Sequence, residues 1–142
     1  MNTLTQKVLT AALIVFSLGA VQQVFADIAI IVHPSNSTAD VKAIKRIFLG
    51  KVKAFDNGAN ASPVELPEGD AVRSAFNSGF LKKSDAQMKS YWGRLVFTGK
   101  AAAPTKAASA DDMIAKVAAN PKFIGYIDAS AVSDAVKVVH TF

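Results

Sequence analysis

Two short loops in this 142-residue chain carry side chains whose types and spacing suit chemistry. The first, Ser35-Asn36-Ser37-Thr38, offers three hydroxyls and an amide without a charge. The second, Glu68-Gly69-Asp70, is followed one turn later by Arg73. Each leads into a segment with helical spacing. A helix start presents unpaired backbone N–H groups and a partial positive charge, so both loops are candidate seats for a small anion. They differ in sign. Glu68 and Asp70 complement the helix dipole themselves and repel an incoming phosphate, so an oxyanion is expected at Ser35, Asn36, Ser37 and Thr38. The plainer reading of both loops is ordinary helix capping.

Other chemistry finds little support. His33 and His140 each end a β-rich run, cysteine is absent, and no H-x-x-x-H spacing occurs, which argues against a zinc site. Ser35, His33 and an Asp could be drawn as a triad, but the chain has no G-x-S-x-G elbow. Glycine loops of the P-loop or dinucleotide type are missing as well. The expectation is a protein that is not an enzyme and needs no cofactor.

The elements that would hold these loops follow from the apolar pattern. Ile28 to His33 reads as a buried strand ending at Pro34. Ser37-x-x-Asp40 resembles a capping box, and Val41, Ile44, Ile47 and Phe48 form a helical stripe ended by Gly50. Ser62 to Leu66 is a second strand. Asp70 is placed to cap a helix running through Leu81, with Val72, Phe76 and Phe80 inward. Ser84-x-x-Gln87 opens a third helix, whose Met88, Tyr91, Trp92 and Leu95 are expected in the core. Ala101 to Ala108 reads as an alanine-rich loop, and Ser109-x-x-Asp112 opens a fourth helix. Ile124–Ile127 and Val136–His140 are the last strands. The order β-α-β-α-α-α-β-β implies an α/β domain with a mostly parallel or mixed sheet flanked by helices.

The N-terminus carries a second kind of signal. Lys7 precedes an apolar run from Ala11 to Val21, and Val24-Phe25-Ala26 places small residues where a signal peptidase reads. The run is shorter than the roughly 20 residues of a spanning helix. Residues 1–26 are therefore expected to be a cleaved signal peptide, and 27–142 one domain that is periplasmic or secreted, with no membrane span after cleavage. Cleavage removes only Lys7 among charged residues, so the net charge of +5 becomes +4. One basic cluster, Lys42, Lys45, Arg46, Lys51 and Lys53, reads as a solvated helix face or a weak attractor of anions. No aromatic side chains interleave with it in a way that suggests stacked bases, so no nucleic-acid partner is expected.

Several segments, in order, resemble the phosphate-binding proteins of phosphate ABC transporters, the PstS-like family. They are Val32 to Asn36, Ile44 to Lys51 with its "IFLGK", Leu66 to Asp70 with Phe76, Phe97 to Lys100, and Val117 to Tyr126. The resemblance implies a domain like one lobe of a type II periplasmic binding protein. It further implies a small anionic solute, phosphate or another oxyanion, as ligand, and a membrane transporter or sensor protein as partner. The family's phosphate motif is R-x-x-G-S-G-T. Aligned with it, Leu66 stands at the Arg, Gly69 at a Gly, Asp70 at the Ser, Ala71 at the second Gly and Val72 at the Thr. Arg73, the next residue, could turn back toward the site. Two functions follow: an exported solute-binding-like protein for an oxyanion, using Ser35, Asn36, Ser37, Thr38, Gly69, Asp70 and Arg73, or a non-transporting interaction or sensor module that lacks the phosphate site.

Overall fold

The computed structural model describes residues 27–142 except Ala39. The expected signal peptide lies outside the described residues. Five strands form one sheet in the order β3-β2-β4-β1-β5. They are β1 (Ile28–Val32), β2 (Ser62–Glu65), β3 (Thr105–Lys106), β4 (Phe123–Asp128) and β5 (Lys137–Thr141). The sheet is mixed. β2 runs parallel to β3 and β4, whereas β1 is antiparallel to both β4 and β5.

β1 is apolar at every position and buried throughout, as a central strand covered on both faces must be. Paired residues share a face, so Ile30 and Val32 lie with Tyr126 and Ile124, and Ala29 and Ile31 with Ile127 and Gly125. Helix α4 (Ala110–Ala119) covers the second of these faces. Gly125 is the reason it fits closely: a Cβ there would sit 2.4 Å from the Met113 sulfur.

The other face carries α1 (Val41–Phe48), α2 (Ala71–Phe76) and α3 (Asp85–Phe97). Its centre is aromatic. Phe76 stacks on Tyr126 with ring centroids 3.9 Å apart and planes 2° apart, and Phe48 meets Phe76 edge-on at 4.7 Å. Met88 and Trp92 of α3 are buried, while Tyr91 and Leu95 are half-buried. The Tyr91 hydroxyl donates to the Leu49 carbonyl at 2.5 Å, tying α3 to the end of α1.

Four local expectations are revised. Asp40, not Ser37, caps α1: the helix begins at Val41, three residues later than a Ser37 cap would start it, and the Asp40 carboxylate accepts from Lys42 N at 2.8 Å. The second helix changes pitch. After Phe76 a π-helical turn, Asn77–Leu81, widens the coil and turns Asn77, Phe80 and Leu81 inward before Lys82 ends it at φ 57°. The alanine-rich loop contains β3, a two-residue strand with too few residues to show a period. A short 3-10 turn, Ala129–Ala131, follows β4.

Candidate functional site

The antiparallel setting of β1 decides what the two candidate loops can do together. Val32, the last residue of β1, pairs with Ile124 near the start of β4. β2 runs with β4, so Leu66 to Asp70 follow the far end of the sheet, level with Ile28. The first loop and the second loop therefore lie at opposite ends of the sheet. Four residues of strand separate those levels, roughly 14 Å at the usual rise. Ser35, Asn36, Ser37 and Thr38 form one group, and Gly69, Asp70 and Arg73 form another.

The second group is the more completely built. Pro67, Glu68 and Gly69 make a tight turn closed by Asp70 N donating to the Pro67 carbonyl at 3.1 Å. Gly69 has φ +81°, a conformation that strains any side chain with a Cβ. The turn delivers Asp70 to the start of α2, where its Oδ1 accepts from Val72 N at 2.8 Å and from Arg73 N at 3.2 Å. Two of the free N–H groups of the helix start, those of Val72 and Arg73, are thereby taken by the chain's own carboxylate.

Arg73 does not face the helix start. The residue is buried, at 6% exposure. Nη1 donates to the Leu66 carbonyl at 3.0 Å, and Nη2 lies 3.5 Å from the Glu65 carboxylate. Lys106 approaches the other Glu65 oxygen at 3.8 Å. Burial pushes the Glu65 carboxyl above its ordinary range, and the attraction of Arg73 and Lys106 offsets only part of that. The Leu66 N–H donates to the Tyr126 hydroxyl at 3.2 Å, and the buried phenol is held well above its ordinary range by desolvation. Beside this cluster an open cleft of about 220 Å³ is lined by Glu68, Gly69, Arg73, Asp85, Ala86 and Lys89. Its carboxylates match its cations in number. Ser74 and Asn77 both donate to Asp85, which holds that carboxyl below its ordinary range.

The first group is arranged for packing at the other end. Asn36 is 2% exposed. Its amide donates to the Pro121 carbonyl, and its oxygen accepts from Asn57 at 3.3 Å. Ser35 Oγ lies 2.7 Å from His33 Nδ1 in an exposed loop. Ser37 is exposed, and Asp40 brings a carboxylate to the helix start that follows. Thr38 is the exception: it is 4% exposed, and its hydroxyl has no hydrogen-bond partner among the described residues. Among the described residues no group of three or more His, Asp or Glu side chains could hold a metal ion.

Glu65, Asp85 and Tyr126 were not singled out as site residues from sequence. The one available signal was Glu65 itself, an acid at the end of a short strand eight residues before Arg73. That spacing does not by itself say that the strand tip and the helix meet.

No protein-family model matches the sequence, and no curated protein matches it either. Solved structures do. The chain is similar to an ABC-type phosphate transport receptor from Vibrio cholerae, at 18% identity and TM-score 0.62, over 81% of this chain and 46% of that one. It is similar to a phosphate ABC transporter substrate-binding protein with bound phosphate from Clostridium perfringens, at 24% identity and TM-score 0.63, over 81% and 45%. It is also similar to PstS from Borrelia burgdorferi, at 14% identity and TM-score 0.59, over 81% and 47%. The likeness is one of fold: an α/β domain with a mixed sheet flanked by helices, corresponding to a single lobe of such proteins. The chain spans just under half the length of each.

Proposed function

We propose that this chain is an exported, non-enzymatic interaction or sensor module, built as one lobe of a phosphate-binding-protein fold whose anion seat is filled by its own Asp70. The observation that carries this reading is the pair of bonds from Asp70 to Val72 N and Arg73 N. A phosphate dianion at that helix start would have to displace the carboxylate and bring its own charge-assisted donors. Arg73, the nearest buried cation, is already engaged by Glu65 and the Leu66 carbonyl. Lys89 is exposed and 3.7 Å from Glu68.

Isothermal titration with phosphate and with sulfate tests the reading. The expected result is no saturable heat at micromolar to millimolar anion. A micromolar affinity would instead support the solute-binding role, with phosphate or another small oxyanion as cargo and a membrane transporter as partner. One observation favours that second reading: the partnerless hydroxyl of buried Thr38. If an anion binds there, Ser37→Ala with Thr38→Val weakens it and Asp70→Ser does not.

A further inference from the structure

Helix α3 turns Met88 and Trp92 into the core and ends in a turn that leaves Val96 and Phe97 outside. Phe97 is 92% exposed, twice as much as Val96 at 46%, the next most exposed large apolar side chain among the described residues. Isolated exposed apolar residues are ordinary. The setting of this one is not. From Ala86 to Ala110 the sequence contains no acid and four cations, Lys89, Arg94, Lys100 and Lys106. Arg94 and Lys100 flank Phe97 in sequence, are exposed, and form no ion pair among the described residues. The loop that follows, Thr98 to Ala103, has no bulky side chain beyond Lys100 to cover the ring.

A second copy of the chain is a poor occupant for this tip. The groove beside α3, about 240 Å³ and floored by Met88, Trp92, Val96 and Pro104, could receive a ring. Its rim, however, holds Arg73, Lys89 and Lys106 against Glu65 and Glu68. A tip flanked by Arg94 and Lys100 would meet a surplus of like charge there. An anionic bilayer suits both halves of the tip. The acyl boundary takes a protruding aromatic ring without needing a matching pocket, and headgroup phosphates take the flanking cations. No helix among the described residues is long and apolar enough to cross a membrane, so the contact would be peripheral.

We propose that the C-terminal end of α3 is a membrane-docking tip, in which Phe97 enters the surface of an anionic bilayer while Arg94 and Lys100 pair with lipid phosphates. This does not depend on whether the Asp70 seat binds an anion. The test is vesicle flotation of the protein recovered after export, its N-terminus read by intact mass. Vesicles of phosphatidylcholine alone are compared with vesicles of equal parts phosphatidylcholine and phosphatidylglycerol. The expected result is binding to the anionic vesicles only, released by high salt, and lowered about tenfold or more by Phe97→Ser and by Arg94→Gln with Lys100→Gln. Val138→Ser, at another exposed apolar position, should leave it unchanged. The proposal is overturned by no flotation, by equal flotation with both vesicles, or by flotation that Phe97→Ser leaves intact, which would place the contact elsewhere, residues 1–26 included. It is also overturned if Phe97→Ser dissolves an oligomer while no vesicle binding is seen, which would make the tip a protein interface. Unchanged thermal unfolding of both variants confirms that a lost contact is not a lost fold.

Discussion

The guanidinium of Arg73 lies 3.5 Å from the carboxylate of Glu65, at a point where both side chains are largely withdrawn from water, at 7% and 19% exposure. The pair joins the tip of β2 to the first turn of α2 and turns the one buried arginine away from the helix start.

Removing Arg73 should therefore be felt in stability first. Arg73→Met leaves Glu65 half-buried with only Lys106, and the expected cost is roughly 2–4 kcal/mol. That is at the lower end for a broken buried pair because Lys106 and solvent still reach Glu65. Urea unfolding at neutral pH measures it. A loss under about 1 kcal/mol would mean that the pair contributes little to holding β2 and α2 together.

Two carboxyls should shape the acid side of the stability curve in opposite senses. Glu65 is raised in the folded protein, so the native state binds a proton that the unfolded state releases. Its contribution is fully present below the ordinary glutamate value of 4.5 and is lost as pH rises through the folded value. Asp85 is lowered by its bonds from Ser74 and Asn77. Its contribution is present above the ordinary aspartate value of 3.8 and is lost as pH falls through the folded value. Thermal melts across this range should show Glu65→Gln removing a decline above pH 4.5 and Asp85→Asn removing a loss below pH 3.8. Unchanged slopes in both variants would contradict the assignment.

At Asp70, capping and anion exclusion separate by substitution. Asp70→Ala removes the acceptor for Val72 N and Arg73 N and should cost about 1 kcal/mol. Asp70→Ser keeps a capping oxygen and loses the charge, so its stability should change by only a few tenths of a kcal/mol. Only the serine variant keeps a capped helix start while removing the Asp70 carboxylate, and it should gain or strengthen phosphate binding in a titration, with Glu68 still opposing the anion. If Asp70→Ser abolishes an affinity that the native protein has, Asp70 is a ligand-binding group and the self-filled seat is wrong.

Gly50 and Trp92 should behave as one unit. Gly50 sits at φ +66° after α1, and a Cβ there would lie 2.8 Å from Trp92 Cη2. Gly50→Ala carries about 1–2 kcal/mol for the left-handed backbone alone, and the indole adds crowding to it. Trp92→Ala should cost roughly 3–5 kcal/mol as a large-to-small core change. In a double-mutant cycle the Gly50→Ala penalty should shrink toward the backbone value once the indole is gone. Additive losses would show that Trp92 moves aside freely.

The exported form is expected to begin at Asp27, after Val24-Phe25-Ala26. Intact-mass measurement of protein collected outside the cytoplasm decides this. A mass that retains Met1 to Ala26 would point to an uncleaved leader or an anchor.

The caps of α2, α3 and α4 and most of the inward stripes were legible in the sequence because they rest on residues close together in the chain. Ser84 with Gln87, and Met88 with Trp92, are of this kind, and both are found in the structure. Asp70 as an acid at a helix start was legible too. What was not legible depends on strand direction. Nothing local in Ile28 to Val32 says that this strand opposes β4, yet that choice puts Ser35 to Thr38 and Gly69 to Arg73 at opposite ends of the sheet. Likewise Glu65 becomes the partner of Arg73 only once β2 and α2 fold back on each other. β3 was missed because two residues show no alternation, and its pairing with Val64 and Glu65 is wholly tertiary. The exposure of Phe97 is not legible, because nothing local says that the end of this helix leaves the protein surface. The acid-free stretch around it was visible in the sequence all along.

The same antiparallel β1 brings the two ends of the described fold side by side. Ile28 N donates to the Phe142 carbonyl at 2.9 Å, and Phe142 N donates to the Ile28 carbonyl at 3.1 Å. A chain that leaves the sheet where it entered can be spliced as a loop. A circular permutant that joins Phe142 to Asp27 through a few glycines and opens at Gly58, an exposed turn with nothing within 4 Å of where its Cβ would be, should keep every strand pairing. By the same geometry the whole domain could be carried on a surface turn of another protein, touching its host at a single point of attachment.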